Sequence, residues 1–211
     1  MAVLQEISEF LQKGRKPKVE ELVNQALSEG IAPKDILEEG LLDGMSIIGE
    51  KFKNNEVFVP EVLIAARAMN AGIAILKPYL ASEGVESKGT VVIGTVKGDL
   101  HDIGKNLVKM MMEGKGLNVV DLGVDVTPEQ FIDAAIENDA KIIACSALLT
   151  TTMGEMKNVV DALNEKGIRD KFKVMIGGAP VTQNYCDQIG ADCYTSDAAS
   201  ASDAAYEFCI A

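Results

Sequence analysis

The feature that most constrains this chain is a fivefold alternation that begins at Thr90. TVVIGTV (90–96), NVVDLG (118–123), KIIACSA (141–147), KVMIGG (173–178) and the shorter CYT (193–195) are brief, mostly apolar runs. The first is apolar almost without interruption, as expected of a strand buried on both faces. Between and after them lie helix-like stretches: Gly104 to about Gly116, Pro128 to Asn138, Met153 to Lys166, Val181 to Ile189, and a last one reaching the C-terminus. Five strand–helix units in succession specify a parallel, doubly wound α/β sheet. The expected strand order is the flavodoxin-like 2-1-3-4-5.

Residues 1 to about 82 read as helix only. The stretch Val3 to Gln12 is amphipathic, Pro17 opens a second helix that Gly30 closes, and Pro33 opens a third reaching about Phe52. A fourth follows Pro60 and runs to Leu76. Short connections between four helices predict a small bundle. Gly40, Gly44 and Gly49 fall inside the third helix. Each costs about 1 kcal/mol against Ala there, so they are either tolerated surface positions or mark a close approach to the helix backbone. The polar segment SEGVESKG (82–89) is the expected linker, giving a helical domain at 1–87 and an α/β domain at 88–211.

The 211 residues carry a formal net charge of -12, which disfavours phosphate backbones and anionic membranes as partners. No apolar run reaches the roughly 20 residues needed to span a bilayer. The N-terminus MAVLQEISEF has no basic stretch and no cleavage signature, so a cytoplasmic location is expected. Cys145, Cys186, Cys193 and Cys209 form no CxxC pair and read as reduced, mostly buried thiols. The chain has one histidine, His101. It cannot build a multi-histidine metal site, so a metal role for it requires other ligands or a cofactor.

Sheets of this class bind ligands at the C-terminal ends of the strands, beside the switch between first and third. Three unusual loops converge on that rim. After the first strand comes Lys97-Gly98-Asp99-Leu100-His101-Asp102-Ile103-Gly104-Lys105-Asn106, after the third Ser146 to Met153, and after the fourth Gly177-Gly178-Ala179-Pro180. A metal-ligating imidazole usually gives its second N–H to a carboxylate, and Asp99 is placed to receive it. Thr152 is placed to donate to the same carboxylate. Taken alone, His101 could equally cap the following helix, Ser146 to Thr152 could serve as a helix cap, and the two glycines could make an ordinary turn.

In combination, Asp99-x-His101-x-x-Gly104, Ser146-x-Leu148 and Gly177-Gly178 resemble the cobalamin-binding module of B12-dependent methionine synthase and of the corrinoid proteins of anaerobic methyl transfer. The resemblance covers about residues 5 to 205. It implies a cobalamin or related corrinoid bound base-off/His-on, its lower base displaced and His101 beneath the cobalt as the metal ligand. Gly98, Asp99, Asp102, Ile103 and Gly104 would form the surrounding cofactor loop. Ser146, Leu148 and Thr150 would line the slot for the displaced tail, Thr152 would complete the relay through Asp99 to His101, Gly177 and Gly178 would let the tail pass, and Ala198 would face it. Thr152 stands where methionine synthase has Ser, which keeps the hydroxyl but restricts its rotamer.

In the helical half, FVPEV (58–62) through ARAM (66–69) resembles the family's cap bundle, which covers the methyl face of the corrin. Phe52 and Val59 match its two apolar capping positions, the second being Leu in methionine synthase; both could instead be plain bundle core. On this reading the glycines of the third helix admit the corrin, and 82–89 is the hinge that lets the cap move. The resemblance implies a stand-alone carrier rather than an enzyme acting alone. It would cycle between Co(I) and methyl-Co(III), serving a substrate-specific methyltransferase and a methyl-corrinoid:coenzyme M or tetrahydrofolate methyltransferase. A reductive activation protein would be a further partner. The donor could be a methylamine, methanol, a betaine or an aryl methyl ether. Two alternatives stay open: a cobalamin-dependent sensor, and a receiver-like binding module without a corrin.

Overall fold

In the computed structural model, residues 2–82 and 87–211 are described. They divide into two compact units, Met1–Ser87 with Gly114–Gly116, and Lys88–Glu113 with Leu117–Ala211. Part of the expected linker, residues 83–86, lies outside the described residues.

The second unit is the parallel sheet. Its strands are β1 (Thr90–Thr95), β2 (Asn118–Asp121), β3 (Ile142–Ser146), β4 (Lys173–Gly177) and β5 (Cys193–Tyr194), in the order β2-β1-β3-β4-β5. Every pairing is parallel, with Val91 opposite Ile142 and Ile142 opposite Lys173 in the centre. Alternate strand residues feed two separate cores, as the period-2 pleat requires. Val92, Ile143 and Val174 pack with Phe131, Met156, Val160 and Ile189, while Val91, Ile93, Ala144 and Met175 pack with Met112, Ala205 and Cys209. The first group belongs with helices α7 (Pro128–Glu137), α8 (Gly154–Glu165) and α9 (Gln183–Ile189), the second with α6 (Ile103–Glu113) and α10 (Ala198–Ile210). Local chemistry starts and stops these helices. Thr127 and Gln130 form a reciprocal capping box ahead of α7, and Asp197 accepts the Ser200 N–H ahead of α10. Gly190, at φ 74°, closes α9 in the left-handed region.

The first unit comprises α1 (Ala2–Gln12), α2 (Lys16–Ser28), α3 (Pro33–Asp35), α4 (Asp43–Lys53) and α5 (Val59–Ser82). The expected third helix is not uniform. Between α3 and α4 the chain passes through a π-helical segment, Ile36–Leu42. Its buried residues and those of α4 include 36, 40, 44 and 48, and also 41, 45 and 49. That spacing of four is wider than the 3.6 of an α-helix, and a wider turn keeps the buried stripe on one face. Gly40 and Gly44 have a local cause. A Cβ at Gly40 would lie 3.2 Å from Ile7 Cγ2, and one at Gly44 would lie 3.1 Å from the Ser8 Cα. The close approach to this helix is therefore made by α1 itself, which replaces the expectation that a corrin explains these glycines. The fourth helix also runs past its expected end at Leu76, with Pro78 inside it.

The reading of the apolar runs needs one correction. Val59–Leu80, 22 residues with mean hydropathy 1.5, is long and apolar enough to cross a membrane by length and composition. Its Val62, Ala65, Ala66, Ala68, Met69 and Leu76 are fully buried within the protein, as in a core helix. Cys145, Cys186 and Cys209 are buried and all four thiols are free. Burial pushes the Cys145 thiol up to about 12 and helps push Cys186 up to about 11, which keeps both protonated at neutral pH.

Candidate corrinoid site

Three loops leave the C-terminal ends of β1, β3 and β4 side by side. The ladder continues past the strands: Val96 N–H donates to Ser146 C=O at 3.0 Å, and Ala147 N–H to Gly177 C=O at 3.1 Å. Asp99 ties the first loop to the second from a position of 0% exposure. Its Oδ2 accepts the N–H groups of Leu148 (2.8 Å) and Leu149 (3.2 Å) and the hydroxyl of Thr152 (2.8 Å). Its Oδ1 faces both the His101 N–H at 3.1 Å and His101 Nδ1 at 2.9 Å. Burial alone would raise this carboxyl. The donors from Leu148, His101 and Thr152 overcome it and hold the group well below the usual carboxylate range.

An ionised carboxylate only accepts, so Nδ1 of a neutral His101 carries the proton and Nε2 carries the free lone pair. The imidazole is 52% exposed, whereas the Asp99 side chain beneath it is wholly buried. Leu100 and Ile103, its neighbours in the loop, are 72% and 77% exposed, and Leu148 and Leu149 are also exposed. The rim thus presents one lone pair among uncovered apolar side chains.

Residues outside the expected set hold the loop in place. Thr95, fully buried, donates its hydroxyl to His101 C=O at 2.7 Å. A hydroxyl late in an otherwise apolar strand is a signal that sequence reading could have used. Asp125 accepts the Gly98 N–H at 2.7 Å and donates its own N–H to Asp99 C=O at 3.0 Å. It comes from the loop after β2, and nothing in its sequence context marks it. Gly98 sits at φ 78°, where a side chain is strained. Asp102 accepts from Asn106 at the start of α6, and Ile103 and Gly104 form that helix's first turn.

The two glycines after β4 differ. A Cβ on Gly178, at φ 135°, would lie 1.8 Å from Ala147 O, so backbone packing alone requires glycine there. A Cβ on Gly177 would meet nothing within 4 Å. Ser146 is half-buried, Thr150 is exposed in the turn after β3, and Ala198 is buried at the start of α10. Phe52 and Val59 lie in the helical unit, at the end of α4 and the start of α5, and both are half-buried.

Comparison with known proteins gives this geometry its context. Residues 89–204 match the B12 binding domain family, and residues 3–77 match a second B12 binding domain family. The chain belongs to the B12-binding corrinoid protein family. It is 44% identical over 200 residues to the dimethylamine corrinoid protein of Methanosarcina barkeri, covering 94% of this chain and 93% of that protein. Identity to a corrinoid protein of Desulfitobacterium hafniense is 43% over 195 residues, or 91% of this chain and 90% of the relative. Among solved structures, the methanol:cobalamin methyltransferase complex MtaBC of Methanosarcina barkeri aligns with a TM-score of 0.89 at 33% identity, over 99% of this chain and 80% of that one. A cobalamin-binding protein of Desulfitobacterium hafniense aligns at 0.80 and 31% identity, over 97% of this chain and 98% of the other.

The site of this corrinoid protein suits such a cofactor. Among the described residues no group of three or more His, Cys, Asp or Glu could hold a bare metal ion. A corrinoid would bring its cobalt inside its own macrocycle, and His101, with Nε2 unbonded, is a residue that could hold it. The exposed Leu100, Ile103, Leu148 and Leu149 give an apolar macrocycle surface to cover, and the space beside Gly177 is unfilled by side chain.

Proposed function

We propose that this chain carries a methyl group on a bound corrinoid between two methyltransferases, with His101 Nε2 as the ligand beneath the cobalt. When bound, the corrinoid supplies a cobalt that alternates between Co(I) and Co(III) as a methyl group arrives and leaves. The chain's own residues bind and tune. Asp99 fixes the His101 tautomer and orientation, and Thr152 and the Leu148 and Leu149 amides fix Asp99 in turn. The binding mode would be base-off/His-on: Ser146, Leu148 and Thr150 would hold the displaced tail, Gly177 and Gly178 would leave it room, and Ala198 would face it. Gly98, Asp102, Ile103 and Gly104 shape the loop that carries the ligand. In the helical unit, Phe52 and Val59 would be the apolar capping residues that the family resemblance implies.

The single observation that carries this reading is the imidazole locked by a buried carboxylate with its second nitrogen left free on an apolar rim. The names of the relatives support the carrier role, since they are corrinoid proteins of methylamine systems and a subunit complex of methanol transfer. The proposed partners are a substrate-specific methyltransferase, a methyl-corrinoid:coenzyme M or tetrahydrofolate methyltransferase, and a reductive activation protein. The methyl donor belongs to the class of methylamines, methanol, betaines or aryl methyl ethers.

The test is reconstitution with hydroxocobalamin. The parent protein is expected to retain the cofactor through gel filtration with a base-off/His-on absorption spectrum. His101→Ala is expected to lose retention and to slow methyl transfer with a purified partner methyltransferase. Unchanged retention and transfer in that variant would reject His101 as the ligand.

A further inference from the structure

Among the described residues Lys105 is the one buried lysine or arginine, with a side chain 1% exposed. Its Nζ donates to Asp121 Oδ1 at 2.6 Å and to Asn106 Oδ1 at 2.7 Å. Two runs of hydrogen bonds lead from it to the two sides of His101. Through the first, Asp121 Oδ1 accepts Gly123 N–H at 2.9 Å, Gly123 C=O accepts Thr95 N–H at 2.9 Å, and the Thr95 hydroxyl donates to His101 C=O at 2.7 Å. Through the second, Asn106 Nδ2 donates to Asp102 Oδ2 at 3.1 Å and Asn106 N–H to Asp102 C=O at 2.7 Å. Asp102 directly follows His101 in the chain. The ammonium therefore joins the end of β2 to the first turn of α6, and the histidine is suspended between them.

A buried ion pair is a poor source of stability, because desolvating both charges offsets most of their attraction; fixing geometry is what it does better. Lys109, 3.4 Å from Asp121 Oδ2, already gives that carboxylate a half-buried cation. The fully buried Lys105 is the cation that reaches both anchoring runs. We propose that Lys105 is a positioning residue for His101, setting the loop so that Nδ1 meets the Asp99 carboxylate and Nε2 is left free. Its relevance to the cofactor rests on reading His101 as the cobalt ligand, but its effect on the imidazole does not.

The single histidine makes the test direct. In protein prepared without corrinoid and labelled with 15N-histidine, nitrogen–proton correlation spectra above the ordinary imidazole range report the tautomer of His101 alone. The parent is expected in the Nδ1–H form that Asp99 selects. Lys105→Met combined with Asp121→Asn removes both charges of the buried pair and leaves only the half-buried Lys109 without its carboxylate. It is expected to keep a cooperative thermal melt while the imidazole shifts to the mixture of tautomers of a free side chain. A folded double variant that keeps the Nδ1–H form overturns the proposal. Should that variant fail to fold, Asn106→Ala decides in its place, since it cuts the run to Asp102 at a half-exposed position; an unchanged tautomer there overturns the proposal as well. Failure of His101 as the ligand would show separately, as unchanged hydroxocobalamin retention in His101→Ala.

Discussion

At the scale of single residues, one carboxylate governs the rim. Removing the Asp99 side chain leaves the Leu148 and Leu149 amides and the Thr152 hydroxyl without their shared acceptor. Asp99→Ala is expected to lower stability by about 2–3 kcal/mol in urea unfolding and to weaken corrinoid affinity about 10–100-fold. The acid response has a defined sign. A carboxyl held below its ordinary value of 3.8 contributes stability that is complete above that value and lost as pH falls through the lower folded value. Asp121 acts in the same direction: burial opposes its charge, and the Lys105 hydrogen bond and the Gly123 amide overcome it. The urea midpoint of the parent is therefore expected to fall on acidification below about pH 4, and the fall should be shallower in Asp99→Ala. The adjacent glycines separate folding from binding. Gly178→Ala forces a methyl onto the Ala147 carbonyl at a positive φ and is expected to cost about 2 kcal/mol or more. Gly177→Val enters open space and is expected to change stability by no more than about 0.5 kcal/mol while weakening hydroxocobalamin binding. Normal binding by a folded Gly177→Val protein would remove Gly177 from the tail path.

At the scale of elements, the helix that begins at Pro33 shows how packing overrides propensity. In an isolated helix, replacing Gly by Ala gains about 1 kcal/mol. At Gly44 the new Cβ would meet backbone atoms of Ser8 at 3.1 and 3.2 Å, so α1 must shift as a whole. Gly44→Ala is expected to destabilise by about 1 kcal/mol or more, the reverse of its propensity. At Gly40 the nearest atoms belong to the Ile7 side chain, which can yield, so Gly40→Ala is expected to be close to neutral. Thermal melts of the two single variants distinguish these outcomes. The glycines themselves stood out in the sequence, but their cause did not, because which neighbour comes close depends on how α1 crosses the helix. The π-helical segment Ile36–Leu42 was likewise not foreseen, although the buried spacing of four now accounts for it.

At the scale of the whole molecule, a carrier of the proposed kind must admit a methyl donor and an acceptor in turn, so a helical unit acting as its cap would have to move. A covalent crosslink between the helical and α/β units is expected to block methyl transfer while leaving the absorption spectrum of the bound corrinoid unchanged. Full transfer by the locked protein would reject a moving cap.

The sequence by itself determined the parallel sheet and its strand order, because continuous apolar runs alternating with amphipathic stretches leave few other ways to bury both faces. It also placed Asp99, His101 and Thr152 on one rim, because that order puts the ends of β1 and β3 side by side. Only the tertiary structure decided what holds His101. Thr95 and Asp125 reach its loop from the end of β1 and from the loop after β2, and Lys105, in the first turn of α6, bonds Asp121 at the end of β2. Such contacts join residues as much as 27 apart, and no local period or spacing records them. It also decided that Gly178 serves the backbone and Gly177 the open space, a distinction between two identical residues that depends solely on what each Cβ would meet.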